Sequence, residues 1–185
     1  SATTQLHQLW LQTYLTETVR YERAALRVST SERRLQIQLP NLAQQNTANL
    51  RISIDQQPLA PGNVVINEQG ALEIQLPSAR QTDEMVIEIW YWTKPGSYLT
   101  GNVSVDPPRV TGASSADRIF WQVVMPGNEH LLGVPDHMTP EQEWLWNGWS
   151  WRRKAYMDQQ DLELWIGASV QQAVPVQTNQ YLFTT

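Results

Sequence analysis

The hexapeptide Leu-Gln-Ile-Gln-Leu-Pro at 35–40 and its echo Leu-Glu-Ile-Gln-Leu-Pro at 72–77 constrain this fold more than any other feature of the chain. In each, apolar side chains recur at every second residue and then meet a proline. Period two marks a strand with one face on a core and one in water. Proline has no N–H to give to a ladder, so each strand stops there. A chain that holds such strands must build sheets and cover their apolar faces. Two similar strands of one sandwich explain the echo more simply than a repeat array, which needs three or more units.

The pattern continues on both sides. Arg51–Asp55 and Val64–Ile66 read as strands bounded by turns at Gln56-Gln57-Pro58 and Asn67–Gly70. Met85–Trp92 sets Met85, Ile87, Ile89 and Tyr91 against Val86, Glu88, Trp90 and Trp92, and Ile119–Met125 is also apolar on both sides. Strands of that kind are buried on both faces, which places these two in the middle of the core. Gln5–Leu15 and Val19–Val28 fit a helical stripe or an alternation. Aromatic and β-branched content favours strand for the first, and alternating charged neighbours favour it for the second. Asp161–Ile166, carrying Trp165, reads as a further strand or a short helix, and Tyr181–Phe183 as a closing strand.

Residues 93–118 carry Pro95-Gly96, Pro107-Pro108 and Gly112-Ala113-Ser114-Ser115, a stretch too long for a structureless loop in a compact domain. A short strand at Val103–Val105 is expected there, with the remainder a mobile loop or seam. The fold expected is one mainly antiparallel β-sandwich over 1–185, Ig-like or jelly-roll-like, with about 10–13 strands and at most one or two short helical turns. Residues 1–92 and 119–185 should share its core.

Four indoles dominate the rest. Trp144, Trp146, Trp149 and Trp151 flank Asn147-Gly148, the favoured loop of a two-residue hairpin. Folding there pairs Trp146 with Trp149 and Trp144 with Trp151, and all four share a face. Each indole carries roughly 150–250 Å² of buriable surface, so the face must be covered by the chain's own core or must bind something. Thr139-Pro140-Glu141-Gln142 competes with this, since it has the form of a helix start. The expectation is one helical turn at 140–142 followed by a hairpin over 143–152. Trp144, Trp146, Trp149, Trp151 and Arg152 are then candidates for docking a protein partner or an adjoining domain. The alternative is stacking on the apolar faces of sugars.

Other chemistry is thinner. His130, Asp136 and His137 lie within eight residues of loop, but no helix or hairpin spacing makes them converge on a metal. Asp136, Glu141, Glu143, Asp158 and Asp161 supply carboxylates near the indoles, and glycoside hydrolysis asks for two at the right separation. No Gly-x-Ser-x-Gly elbow, His-Glu-x-x-His, phosphate-binding loop or dinucleotide fingerprint occurs, so no enzyme and no cofactor is expected. A formal charge of −5, with Arg152-Arg153-Lys154 as the basic cluster, argues against nucleic acid. The absence of cysteine removes thiol catalysis and disulfide frameworks. No apolar run reaches the ~18 residues of a membrane span, and the N-terminus lacks a signal-peptide core. The chain opens at Ser1 without an initiator Met, which fits a processed product or an excised piece of something larger.

One resemblance adds to this. The order Phe-Trp-Gln-Val-Val-Met-Pro at 120–126, Glu129-His130-Leu131-Leu132, Thr139-Pro140-Glu141, Trp144 and Trp146 ahead of Gly148, Leu162-Glu163 with Trp165 and Gly167-Ala168, and Tyr181-Leu182-Phe183 resembles ectodomain segments of large bacterial envelope proteins. The resemblance implies a non-enzymatic, extracytoplasmic β module of a membrane-anchored parent. It brings no functional residues with it.

Overall fold

A computed structural model of the chain describes residues 4–16, 20–39, 50–77, 84–93, 107–128, 130–131, 133–134, 137–146, 148–168 and 178–185. Its first strands are β1 (Thr4–Leu15), β2 (Arg20–Thr30), β3 (Arg34–Gln38), β4 (Leu50–Ile54), β5 (Gln57–Pro58), β6 (Val64–Ile66), β7 (Leu72–Gln75) and β8 (Met85–Thr93). Then come β9 (Arg109–Val110), β10 (Ala113–Ser114), β11 (Arg118–Pro126), β12 (Thr139–Pro140), β13 (Gln142–Trp146), β14 (Trp151–Ala155), helix α1 (Gln159–Ile166) and β15 (Thr178–Thr184). The described strands exceed the expected number because four of them, β5, β9, β10 and β12, are two-residue pairings too short to leave a periodic signal. Val103–Val105 lies outside the described residues.

The large sheet runs β12-β15-β11-β1-β2-β8-β4-β5, with β10 also pairing β1, and the small sheet runs β6-β7-β3-β9. All pairings are antiparallel except those of β1 with β10 and β11. The two echoing hexapeptides are direct neighbours: Leu35 stands opposite Ile74 and Ile37 opposite Leu72. Identical patterning therefore serves one purpose, since both strands turn the same apolar set inward. β1 pairs with β11 from Gln8↔Arg118 to Tyr14↔Val124, and one buried cluster holds Leu9 and Ile87 together with Val123 and Phe183.

β8 and β11 flank the centre of the sheet; the central pair is β1 and β2. Sequence reading placed β8 and β11 in the middle because both their faces are apolar. The central pair escaped because buried polar residues, Gln12, Arg23 and Glu22 among them, interrupt its hydrophobic pattern. A register shift between Leu6 and Gln8 adds one residue to β1 and reverses its alternation, so that Leu6, Leu9 and Leu11 all reach the same core.

Between the sheets lies the main core, in which Leu9, Leu26, Ile87, Leu35, Ile37, Leu72 and Ile74 are at most 1 % exposed. Each such aliphatic side chain contributes about 1.5–3 kcal/mol by leaving water. The other face of the large sheet carries a second cluster of Trp10, Ala25, Val86, Phe120 and Leu182, covered by Leu162 and Ile166 of α1. The molecule thus has three layers, with α1 on the outside of the large sheet.

Two local expectations are corrected here. Thr139-Pro140 starts no helix. It pairs with Thr184 and Phe183 at the edge of the large sheet, where a residue without an N–H does no harm. Of the two readings open for Asp161–Ile166 the helix holds; it begins at Asp158, whose side chain accepts from the Asp161 N–H while the Asp161 side chain accepts from the Asp158 N–H. It closes at Gly167 with φ 76°, whose N–H and that of Ala168 both reach the Glu163 carbonyl. Second, the turn after β4 is made by Asp55 and Gln56, with φ 47° and 68°, and not by Gln56-Gln57-Pro58. That pair of positive φ values is a two-residue hairpin turn built without glycine.

A Trp-rich candidate docking hairpin over a polar seam

β13 and β14 form a two-stranded ribbon of their own, outside both main sheets. Its register is Gln142↔Ala155, Glu143↔Lys154, Trp144↔Arg153, Leu145↔Arg152 and Trp146↔Trp151. The expected pairing of Trp146 with Trp149 and Trp144 with Trp151 is therefore corrected: the loop has four residues, 147–150, and Trp149 sits in it. Gly148 takes φ 93° there. Alternation places Trp144, Trp146 and Trp151 on one face of the ribbon and leaves Trp149 at the tip. Arg152 occupies a register position on the opposite face, across from Leu145.

The indoles do not finish the core of this chain. Trp144, Trp146, Trp149 and Trp151 are 58, 57, 93 and 62 % exposed. Trp146 and Trp151 touch across the ribbon, with ring centroids 5.4 Å apart and planes at 58°. At the root, the ribbon face that carries the indoles ends in Ala155, which is buried in the cluster beneath α1. A face that begins against the body thus runs outward into solvent as a row of rings, spaced about 7 Å along the strand. Leu145 and Tyr156 beside them are also exposed.

Beneath α1 lies a polar seam. Arg23 of β2 is fully buried, with its guanidinium carbon 4.7 Å from the ring centroids of both Trp10 and Trp90. Its Nε and Nη2 donate to Glu88 Oε2 at 3.1 and 2.7 Å, and its Nη1 donates to Glu163 Oε1 of α1 at 3.0 Å. Gln159 of α1 donates to the same Glu163 oxygen at 2.9 Å. Beside them Gln12 donates to Gln122 at 2.8 Å, Gln122 donates to Gln180 at 3.2 Å, and the Tyr14 hydroxyl donates to Gln159 at 3.3 Å. Burial pushes the Tyr14 phenol up to about 12. This seam couples α1 to the sheet by directional bonds, which fix one placement where a greasy contact would tolerate several.

Sequence reasoning missed the seam. Its signal was present as single polar residues inside strands otherwise apolar on both faces, Glu88 in β8 and Gln122 in β11. On the inner face a second buried pair, Arg20 with Glu22, sits beside Thr13, which donates to Glu22 at 2.6 Å. Burial raises the Glu22 carboxyl, and Arg20 pulls it partly back.

His130 is exposed, with Nδ1 3.4 Å from the Tyr181 hydroxyl and 3.5 Å from Asn179 Nδ2. His137 lies in a turn with φ 65°, and Asp136 is outside the described residues. Among the described residues no group of three or more His, Asp or Glu side chains is placed to hold a metal ion. Of the carboxylates near the indoles, Asp158 and Asp161 are engaged in capping α1. No helix among the described residues is long and apolar enough to cross a membrane.

No family model and no curated protein matches the chain. Solved structures do share its fold. An M1 zinc metallopeptidase from Deinococcus radiodurans, an E323A mutant bound to a Tyr-Ser-Ala substrate, superposes with a TM-score of 0.50 at 11 % identity, over 98 % of this chain and 39 % of the other. Legionella pneumophila aminopeptidase A, in complex with aspartic acid, gives 0.53 at 9 % identity, over 100 % of this chain and 21 % of the other. The chain therefore spans well under half the length of either peptidase. At these identities the likeness is one of fold.

Proposed function

We propose that this chain is a non-enzymatic interaction module, whose Trp-rich hairpin docks against a protein partner or an adjoining domain of a larger protein. One observation carries the reading: four indoles stand more than half exposed on a ribbon that belongs to neither main sheet. Apolar area of that size on a soluble monomer marks a binding surface, and tryptophan is the residue most enriched at interface hot spots. The fold likeness supports an adjoining domain, since in both peptidases comparable architecture accounts for a minor part of a much longer chain. An extracytoplasmic setting in a bacterial envelope protein belongs to the same proposal and rests on the sequence resemblance. Sugar stacking is supported less well, because Trp146 and Trp151 are tilted by 58° and offer no common flat platform.

The test is site-specific photocrosslinking in the producing cell. A photoreactive phenylalanine at position 149 should give discrete protein adducts, while the same group at Glu68, in an exposed turn of the small sheet, should not. Equal labelling from both positions, or adducts to glycan alone, would overturn the reading.

A further inference from the structure

The hairpin differs in charge from the body that carries it. Residues 142–155 hold Arg152, Arg153 and Lys154 against Glu143, a net of +2, in a chain whose total is −5, so the remaining residues sum to −7. Three of the chain's 13 lysines and arginines thus fall within three consecutive positions of β14. Lys154 stands across from Glu143, Arg153 across from Trp144 and Arg152 across from Leu145. Arg153 therefore takes a position within the row of indoles, and Arg152 a position on the reverse of the ribbon.

We propose that the surface gripped by this hairpin is an apolar groove rimmed by carboxylates on a protein domain; the inference rests on the docking reading above. Indoles fill the groove and the cations of β14 meet its rim, the usual division between a dry anchor and a charged border. The acidic body enforces orientation, because an acidic partner attracts the hairpin and repels the rest of the molecule. Geometry favours a groove over a lipid surface. Trp144, Trp146 and Trp151 form a row along the side of the ribbon, on the face that Ala155 buries at its root, and Trp149 alone is at the tip. A bilayer interface takes anchors that reach one depth together, whereas a row along a ribbon fits a cleft.

Random-peptide display against the intact chain tests this without knowledge of the natural partner. Enriched peptides should carry Asp or Glu beside aliphatic or aromatic residues, and Trp146→Ala should abolish their binding. Raising salt from low to several times the physiological level should weaken binding at least tenfold, as should Arg153→Glu at the register position within the row of indoles. Peptides that need Trp146 but lack acids, or that ignore the charge reversal, overturn the acidic rim and leave docking intact. Peptides indifferent to Trp146→Ala, or no enrichment at all, overturn docking as well. Titration with phosphatidylglycerol vesicles is the second arm: a blue shift of tryptophan emission that Trp149→Ala removes would assign the hairpin to lipid and overturn the proposal.

Discussion

Glu163 on α1 lies 3.0 Å from Arg23 on β2, and this ion pair, with both side chains essentially out of solvent, fastens the helix to the sheet. Glu88 accepts from the same guanidinium, and Trp10 and Trp90 close over it. Removing one partner of a buried ion pair leaves charge without compensation. Arg23→Ala is accordingly expected to lower stability by about 3–5 kcal/mol, and Glu163→Gln by about 1–3 kcal/mol. Urea unfolding of the two variants checks this; an Arg23→Ala loss below 1 kcal/mol would contradict the seam's role.

Glu22 gives a pH signature. Its carboxyl is raised by burial, against the opposing pull of Arg20 and Thr13. A carboxyl raised on folding binds its proton more tightly in the folded chain. Its contribution is fully present below the unfolded value of about 4.3 and is lost as pH rises through the folded value. Wild type should therefore lose stability relative to Glu22→Gln between pH 4 and pH 7, as measured by urea midpoints. A difference that stays constant or moves the other way would refute this.

Tyr14 should titrate late. Burial raises its phenol to about 12, with Arg23 opposing and Glu163 adding to the rise. An ordinary phenol ionises near 10, so folding loses stability as pH climbs from that value toward 12. In an ultraviolet absorbance titration, Tyr14→Phe should remove one tyrosine transition at about pH 12; an unchanged titration there would refute the assignment.

Gly167 should resist replacement. Its φ of 76° is one that other residues adopt at a cost, and a Cβ there would lie 2.7 Å from Arg27 Nη2. Arg27 also donates through Nε to the Ile166 carbonyl at 3.3 Å, satisfying one of the open groups at the helix end. Gly167→Ala is expected to lower stability by about 1 kcal/mol or more, measured by thermal or urea unfolding.

The strands were legible in the sequence wherever alternation was uninterrupted. Leu35–Leu39 and Leu72–Leu76 show this, though their likeness did not say that they pair with each other. The order of the large sheet was not, because the pairing of β1 with β11 joins residues about 110 positions apart and is parallel, and nothing in local patterning encodes which distant strand is the neighbour. The helical turn expected at 140–142 is absent although Thr139-Pro140-Glu141-Gln142 satisfies capping chemistry as Asp158–Asp161 does, and burial of Leu162 and Ile166 against Trp10 and Phe120 makes a helix of Asp161–Ile166, which the pattern left open between helix and strand. At the hairpin the residues were right and the register wrong: Asn147-Gly148 suited a two-residue turn, while the ribbon closes through four residues and sends Trp149 to the tip. The seam was hidden because Gln12, Arg23 and Gln122 look like solvated positions until α1 covers them.

The proposed docking role requires that the exposed hairpin indoles contribute little to holding this chain together. Unfolding of the double variant Trp146→Ala/Trp151→Ala against wild type tests it most directly. Exposed rings that touch mainly each other should cost about 1 kcal/mol, the scale of an aromatic pair. A loss of 3 kcal/mol or more, the scale of a tryptophan removed from a core, would show that the rings complete the fold and would contradict the account.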